Sequence, residues 1–309
     1  MTAATPLVVV VGSINMDYVV TAERLPGKGE TVIGRSFQRF PGGKGANQAV
    51  GMARLDTPVF HIGKVGADDD GAVMRRQLAE AGVDPAGIME DKGSSTGLAL
   101  IQIAEDGSNT IIVVPGANHR LMPEDLNRFE RQFNAAGALV LQNEIPHETN
   151  LAACRRARQA GAKIVYNPAP FQPRSADICL LSDYVILNEI ELSGLVQRDL
   201  YDTADLIEAG KTCYARFQGQ ALIITLGERG SLWITAGGVA SRPARRLKAI
   251  DTTAAGDAFV SGFVSSLARG QTIEDCIRLA TDVSAFAVTV MGAQPSLPTR
   301  GQLERFLAP

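Results

Sequence analysis

Ala221-Leu222-Ile223-Ile224-Thr225-Leu226, followed at once by Gly227-Glu228-Arg229-Gly230, is a nearly unbroken apolar run that ends in a glycine loop. A run that is apolar at successive positions, not at every second one, has no solvent face. It therefore reads as a strand buried on both sides of a sheet. Similar runs precede it at Ala138–Gln142, Lys163–Asn167 and Tyr184–Leu187. Helical patterns near 148–160 and 202–217 fall between these strands, and another near 257–269 follows them. Near-continuous apolar strands separated by helices indicate a parallel sheet covered on both faces. Ser231–Thr235 is expected to return antiparallel at an edge, and closing helices are expected near 272–290 and 299–307.

The first half alternates less regularly. Leu7–Ser13 reads as a buried strand, and Asp17–Ala22 continues extended to the Pro26-Gly27 turn. Thr31–Phe40 is β-like and ends at Pro41-Gly42-Gly43. A helix over Lys44–Leu55, a strand over Val59–Val65 and a helix over Asp70–Ala81 follow. Gly97–Ile103 and Thr110–Val114 flank a hairpin turn at Glu105–Asn109. The β-rich segments 17–40 and 97–114 interrupt an α/β pattern, and one small accessory sheet accommodates both. Ligands of open α/β sheets bind beyond the carboxyl ends of the strands. A second sheet above that edge would form a lid on a single α/β domain spanning 1–309.

Composition excludes several classes. The chain has 309 residues, 45% hydrophobic and 20% charged, with a net charge of −3. Its densest basic group, Arg242, Arg245, Arg246 and Lys248, is too small to argue for nucleic acid. Cys154, Cys179, Cys213 and Cys276 lie far apart, and His61, His119 and His147 lack zinc-ligand spacing. No run approaches transmembrane length, and Leu7–Val11 is too short for a signal core. A soluble, reduced, cytoplasmic protein without a structural metal is expected.

Chemistry concentrates where strands are expected to end. Asp251-Thr252-Thr253-Ala254-Ala255-Gly256-Asp257 runs directly into the helical pattern Phe259, Phe263, Leu267. Unpaired N–H groups and the helix dipole favour an anion at Ala254, Ala255 and Gly256. Asp257 then either caps the helix or accepts a proton from an attacking hydroxyl. Asn15 and Asp17 alternate with apolar neighbours, so both can face one side, and the pair suits a vicinal diol. Gly42-Gly43-Lys44-Gly45-Ala46-Asn47 opens a helix but is not a nucleotide P-loop, since Gln38 and Gly45 stand where Gly and Ser/Thr are needed. Glu144 follows the 138–142 strand into the same region. Asn188 and Glu191 follow another strand; they either order water around Mg²⁺ and phosphates or start a helix. The glycines of 225–230 allow close approach of a nucleotide.

Taken in order, these motifs resemble the ribokinase family of sugar and nucleoside kinases nearly end to end. The resemblance rests on Gly12–Asp17, Gly42–Ala49, Asn167–Pro170, Asn188–Glu191, Thr225–Gly230, Asp251–Asp257 and Gly292–Ser296. It implies an α/β/α sandwich with a β lid that clasps a second subunit's lid, and transfer of the ATP γ-phosphoryl group to a small sugar, ribose first. It implies a sugar site at Asn15, Asp17, Gly43, Lys44, Asn47 and Glu144, with Asp257 as base and Ala254, Ala255 and Gly256 as anion hole. The nucleotide side is matched by Asn188, Thr225, Gly227, Gly230 and Gly256, with Thr281 beside the adenine. Mg²⁺ accompanies ATP, with Glu191 acting through water. An activating K⁺ falls to Asp251, Thr253, Ala287, Val290, Gly292 and Ser296. From physics alone, the carboxylate of Asp251, backbone carbonyls and the Ser296 hydroxyl suit a hard cation, while Asp251 could equally cap a turn. Asn143 and Thr281 depart from the family pattern, which bears on sugar preference and purine contacts. A kinase for another small sugar or nucleoside, and a silent sugar-binding regulator, are the competing readings; the intact Asp257 and its anion hole argue against the second.

Overall fold

Along Leu7–Val11 (β1), Val8 and Val10 point into one apolar core and Val9 and Val11 into another, the pleat of a strand covered on both faces. The structure is a computed structural model and describes residues 5–217 and 219–308, so residue 218 and the extreme ends of the 1–309 range lie outside it. After β1 come β2 (Asn15–Ala22), β3 (Gly34–Gly42), β4 (Val59–Gly66), β5 (Ile88–Asp91), β6 (Gly97–Ala104) and β7 (Asn109–Val114). The second half adds β8 (Ala136–Leu141), β9 (Lys163–Tyr166), β10 (Tyr184–Asn188), β11 (Ala221–Thr225), β12 (Ser231–Thr235) and β13 (Gly238–Arg242).

The larger sheet has the order β13-β12-β11-β10-β9-β8-β1-β4-β5. Its strands from β11 to β5 are parallel, and β12 and β13 are antiparallel additions. The order runs from β1 through β4 to β5 on one side and from β1 through β8 on the other. Such a reversal opens a crevice at the carboxyl ends of the strands. The smaller sheet, β3-β2-β6-β7, takes in both interrupting segments. It grows directly from β1, because Gly12–Ile14 carries the chain from β1 into β2.

Helices α1 (Lys44–Arg54), α2 (Asp69–Glu80), α3 (Glu130–Ala135) and α4 (His147–Ala160) come first. They are followed by α5 (Ser175–Cys179), α6 (Glu189–Val196), α7 (Thr203–Phe217), α8 (Ala255–Ala268), α9 (Ile273–Ala287), α10 (Ala293–Ser296) and α11 (Arg300–Leu307). One core holds side chains of α1, α2, α8, α9 and α11, and the other those of α3, α4, α5, α6 and α7. The sheet is thus the middle of three layers. Among the described residues, no helix is long and apolar enough to cross a membrane.

Three sequence expectations need correction. Ser231–Thr235 is antiparallel as expected but is not the edge, since Gly238–Arg242 pairs outside it. That strand is mostly small and polar, so it carries no hydrophobic signal and is recruited by the ladder of β12. β5 was missed because it has four residues and only Ile88 is buried. β3 starts at Gly34 and runs through Pro41, a proline tolerated because β3 is an edge strand.

Candidate active site

Asp257 occupies the third position of α8, and its side chain does not cap that helix. The cap position belongs to Ala254, which offers no side-chain hydrogen bond. Instead, Asp257 Oδ2 accepts from Asn47 Nδ2 and Oδ1 from Gln48 Nε2, both at 2.9 Å. The capping role is thereby excluded, and the carboxylate lies buried between α8 and α1. The N–H of Ala255 turns back to the Thr252 carbonyl at 3.1 Å, and those of Gly256 and Asp257 have no backbone acceptor among the described residues. α8 therefore presents free donors beside its buried acid, as anion binding requires.

α1 supplies the opposite wall. The backbone at Gly43 takes φ +88°, which a side chain resists, and a Cβ on Gly42 would lie 2.3 Å from the Asp17 carboxylate. These glycines let the start of α1 pass beside β2. Asn15 and Asp17, 4% and 9% exposed, lie on adjacent inward positions of β2. Asn118 Nδ2 donates to Asn15 Oδ1 at 2.7 Å, and Asn118 Oδ1 accepts from the Ile14 N–H at 2.9 Å. Glu144 Oε2 accepts from the Ser13 hydroxyl and from the Lys44 N–H at 2.9 Å. Asn47 Oδ1 is buried without a partner, a free acceptor for a ligand hydroxyl.

Four carboxylates crowd one ammonium here. Burial works against the charge on Lys44, but Asp257, Glu144, Glu191 and Asp17 outweigh it and hold its pKa above the ordinary lysine value. Burial, then Glu144 and Asp257, push the Asp17 carboxyl up to about 7, with Lys44 opposing. Burial also raises Glu191.

The nucleotide-side residues converge too. Thr225, Gly227, Gly230, Gly256 and Thr281 line one cavity of about 500 Å³, closed by Leu247, Phe259, Ala285 and Val288. Thr281 Oγ1 donates to the Ile277 carbonyl at 2.8 Å, so its hydroxyl proton is already used. Asn188 and Glu191 form a reciprocal capping box on α6: Asn188 Oδ1 accepts from the Glu191 N–H at 2.9 Å and Glu191 Oε2 from the Asn188 N–H at 2.8 Å. Both act first as a helix start, and Glu191 remains close enough to Lys44 and Asp257 to feel their charges. Asn143 turns away from the crevice, donating to Pro170 O and Ser175 Oγ, so its departure from the family pattern is absorbed by local packing.

Beyond the anion hole, Asp251 ties two loops together. Its Oδ1 accepts from the Thr253 N–H at 2.9 Å and its Oδ2 from the Gly292 N–H at 2.8 Å. Burial alone would raise this carboxyl, but the Thr253 and Gly292 donors prevail and lower it. Asp251 thus stays charged without an ion-pair partner among the described residues. Ala287 ends α9, the Val290 N–H donates to its carbonyl at 3.2 Å, and Ser296 Oγ donates to Ala293 O at 2.7 Å. A larger groove of about 820 Å³ beside β3 and α11 sets Arg39, Arg54 and Arg300 against Asp56, Glu80 and Glu304, and its charges offset one another.

A buried acid at a helix start, a cluster of buried polar side chains at the root of a small sheet and a cavity of about 500 Å³ beside them make a phosphotransferase layout, and comparison agrees. The model of the pfkB family carbohydrate kinases matches residues 5–300. This chain belongs to that family. A ribokinase of Lactococcus lactis subsp. lactis is 37% identical over 299 residues, 96% of this chain and 95% of the relative. A deoxyribokinase of Salmonella typhimurium is 32% identical, covering 97% of this chain and 98% of its own. The structure of Arabidopsis thaliana ribokinase complexed with ribose and ATP superposes with a TM-score of 0.91 at 31% identity, covering 98% of this chain and 99% of that one. The protein is a sugar kinase.

Four participants in this site were not among the expected site residues: Ser13 and Gln48, which lie inside quoted motifs, and Asn118 and Gln142, which do not. Gln48 adjoins Asn47 in the glycine-rich stretch and could have been found there. Asn118 lies in a short 3₁₀ turn, where an asparagine is unremarkable.

Proposed function

We propose that this kinase transfers the γ-phosphoryl group of ATP to the 5-hydroxyl of D-ribose, giving D-ribose 5-phosphate. The observation that carries the reading is the Asp257 carboxylate, buried and held by two amide donors beside unpaired N–H groups of α8. Phosphoryl transfer asks for alignment, charge neutralisation and a proton acceptor, and little covalent chemistry from the protein. Asp257 accepts the proton of the attacking hydroxyl, while the backbone of Ala254 and Gly256 stabilises the transferring group, the Ala255 N–H being taken by the Thr252 carbonyl. Asn15, Asp17, Gly43, Lys44, Asn47 and Glu144 hold the sugar. Asn188, Thr225, Gly227, Gly230 and Thr281 hold the nucleotide. Mg²⁺ entering with ATP would neutralise phosphate charge, and Glu191 would be the residue placed to hold its waters.

A monovalent cation, K⁺, fits the loops joined by Asp251. The donor set is one charged carboxylate with carbonyl and hydroxyl oxygens at Thr253, Ala287, Val290, Gly292 and Ser296, which suits a hard ion. Its charge would offset Asp251 and steady the loop that carries the anion hole.

The small sheet serves as a lid that excludes water and pairs with the lid of a second copy. Its exposed apolar side chains support this, with Ile111 and Ile112 of β7 at 56% and 62% exposure and Phe37 of β3 at 59%. Four free, buried cysteines suit the cytoplasm.

Deoxyribose is the second reading, since deoxyribokinases are among the relatives. A buried acceptor such as Asp17 penalises a sugar that lacks the matching hydroxyl, by roughly 10–10³ in kcat/KM when the site is partly solvated. The test is phosphorylation by ATP-Mg of ribose, 2-deoxyribose, fructose, adenosine and pseudouridine, with the product position assigned by NMR. Ribose should be preferred. Equal or better use of 2-deoxyribose would overturn the choice of sugar.

A further inference from the structure

We propose that Gln48 and Gln142 are positioning residues for the catalytic base, a buried amide relay that aims the Asp257 carboxylate at the acceptor hydroxyl. The inference rests on the reading of Asp257 as base and adds to it the residues that hold it.

A carboxylate on a short side chain can turn about two bonds, and small misplacements of a reacting group cost rate steeply, about 10²-fold for 1 Å. Here Gln48 Nε2 donates to Asp257 Oδ1 at 2.9 Å and to Asn167 Oδ1 at 3.3 Å. A glutamine amide has the same outline in either flip, so something must select the one that points a donor at Asp257. Gln142 does so, because its Nε2 donates to Gln48 Oε1 at 2.6 Å and leaves Nε2 of Gln48 free to face the acid.

At the far end, Asn150 Nδ2 donates to the backbone carbonyl of Gln142 at 2.7 Å. The side chain itself is held by packing, since Gln142 Oε1 has no hydrogen-bond partner among the described residues and a Cβ on Gly12 would lie 2.2 Å from it. Asn167 Nδ2 is tied to the Ile186 carbonyl at 2.8 Å. The relay thus joins α8 to α1 and then to β8 and β10, the strands whose ends form the site.

Gln48 and Gln142 are 0% and 1% exposed, so they act through Asp257 and not on a ligand. Burying two amides where methionines would fit is costly unless their hydrogen bonds do something. An amide donor favours the charged, proton-accepting form of a carboxylate. The charged groups that also face Asp257 are Lys44 of α1, Asp17 of β2 and Glu191 of α6, while Glu144 beyond β8 faces Asp17 and Lys44.

The experiment measures kcat, both KM values and the pH profile of kcat for full-length Gln48→Met, Gln48→Glu, Gln142→Met and the Gln48→Met/Gln142→Met pair. Asp257→Asn and the wild type serve as references. Gln48→Met should lower kcat about 10–10²-fold with KM values within about threefold, and move the acidic limb of kcat to higher pH. Gln48→Glu, isosteric but charged, should move that limb further. Gln142→Met should show a smaller change in the same direction, and the pair should be no worse than Gln48→Met alone, because one residue acts through the other. A wild-type limb and kcat in Gln48→Glu and Gln142→Met, or losses confined to melting temperature or KM, would overturn the relay. Gln142→Met keeps the question decidable should Gln48→Met not fold. If Asp257→Asn stays active, the base itself is misassigned; if it is dead while the glutamine variants match wild type, only the relay fails.

Discussion

Single side chains set the chemistry and the pH response. Asp257→Asn keeps the shape and the hydrogen-bonding capacity on one side but cannot take a proton, so kcat should fall about 10²–10⁴-fold, or roughly 3–5 kcal/mol of barrier, with ribose binding retained. Steady-state kinetics with calorimetric binding check this. Asp17 titrates near pH 7 in the fold and near 3.8 when exposed. Between those values the folded chain binds the proton more tightly, so native stability declines as pH rises from about 4 to about 7, by at most about 4 kcal/mol. Asp17→Asn removes that decline and should melt higher than wild type at pH 8 but not at pH 4. Sugar binding has the opposite preference, since hydroxyl donors need the carboxylate, and the KM for ribose should fall as pH rises through 7. His61 behaves inversely. Both its ring nitrogens lack partners, and burial lowers its pKa from 6.5 to about 3. Stability therefore drains away as pH falls from 6.5 toward 3. Thermal melts at pH 5 should find His61→Leu more stable than wild type.

At the level of elements, the decisive part is the start of α8 and the two loops beneath it. α8 has no side-chain cap at Ala254, and the N–H groups of Gly256 and Asp257 have no backbone acceptor among the described residues, which leaves them open to the phosphoryl group of the proposed reaction. Asp251 fastens the loop before α8 to the Gly292 loop, and Arg54 of α1 fastens α10 by donating to Gln294 O at 2.6 Å and Leu297 O at 2.7 Å. An ion that neutralises Asp251 should therefore act on turnover without touching substrate. Replacing K⁺ by Na⁺ and then by a bulky organic cation, at constant ionic strength, should lower the activity of wild type. Asp251→Ala should be slow and indifferent to the exchange. Indifference of wild type would remove the cation from the account.

Across the whole molecule, two sheets of different character share one chain. The larger is sealed by helices on both faces, while β7 leaves Ile111, Ile112, Val113 and Val114 all at least 40% exposed. An exposed apolar strand of this kind, open on both faces of its sheet, ordinarily marks a binding surface. On the proposed pairing of lids, wild type should sediment as a dimer and Ile112→Glu, which puts a charge in the middle of the exposed strand, as a monomer. A monomeric wild type at micromolar concentration would leave that strand without its proposed partner.

Much of this was legible in the chain itself. The buried strands of the large sheet announced themselves through unbroken apolar runs, and α8 through its small-residue loop and helical spacing, because periodicity and helix ends are local properties. Local reading failed where pairing, not composition, makes the element. β13 is polar and exists by its ladder to β12, and β5 is too short to have a period. The same divide runs through the site. Asp17 and Glu144 could be named from their positions after strands and Asp257 from its place at a helix start, but whether Asp257 capped that helix was open until its partners were in place. Those partners, Asn47 and Gln48, lie about 210 residues away along the chain. Asn118, which orients Asn15 from 103 residues off, had no signal at all. Hydrophobic burial and helix geometry repeat along the chain and are written there; the choice of one hydrogen-bond partner among many is made only when the fold removes water and brings distant amides to the same carboxylate.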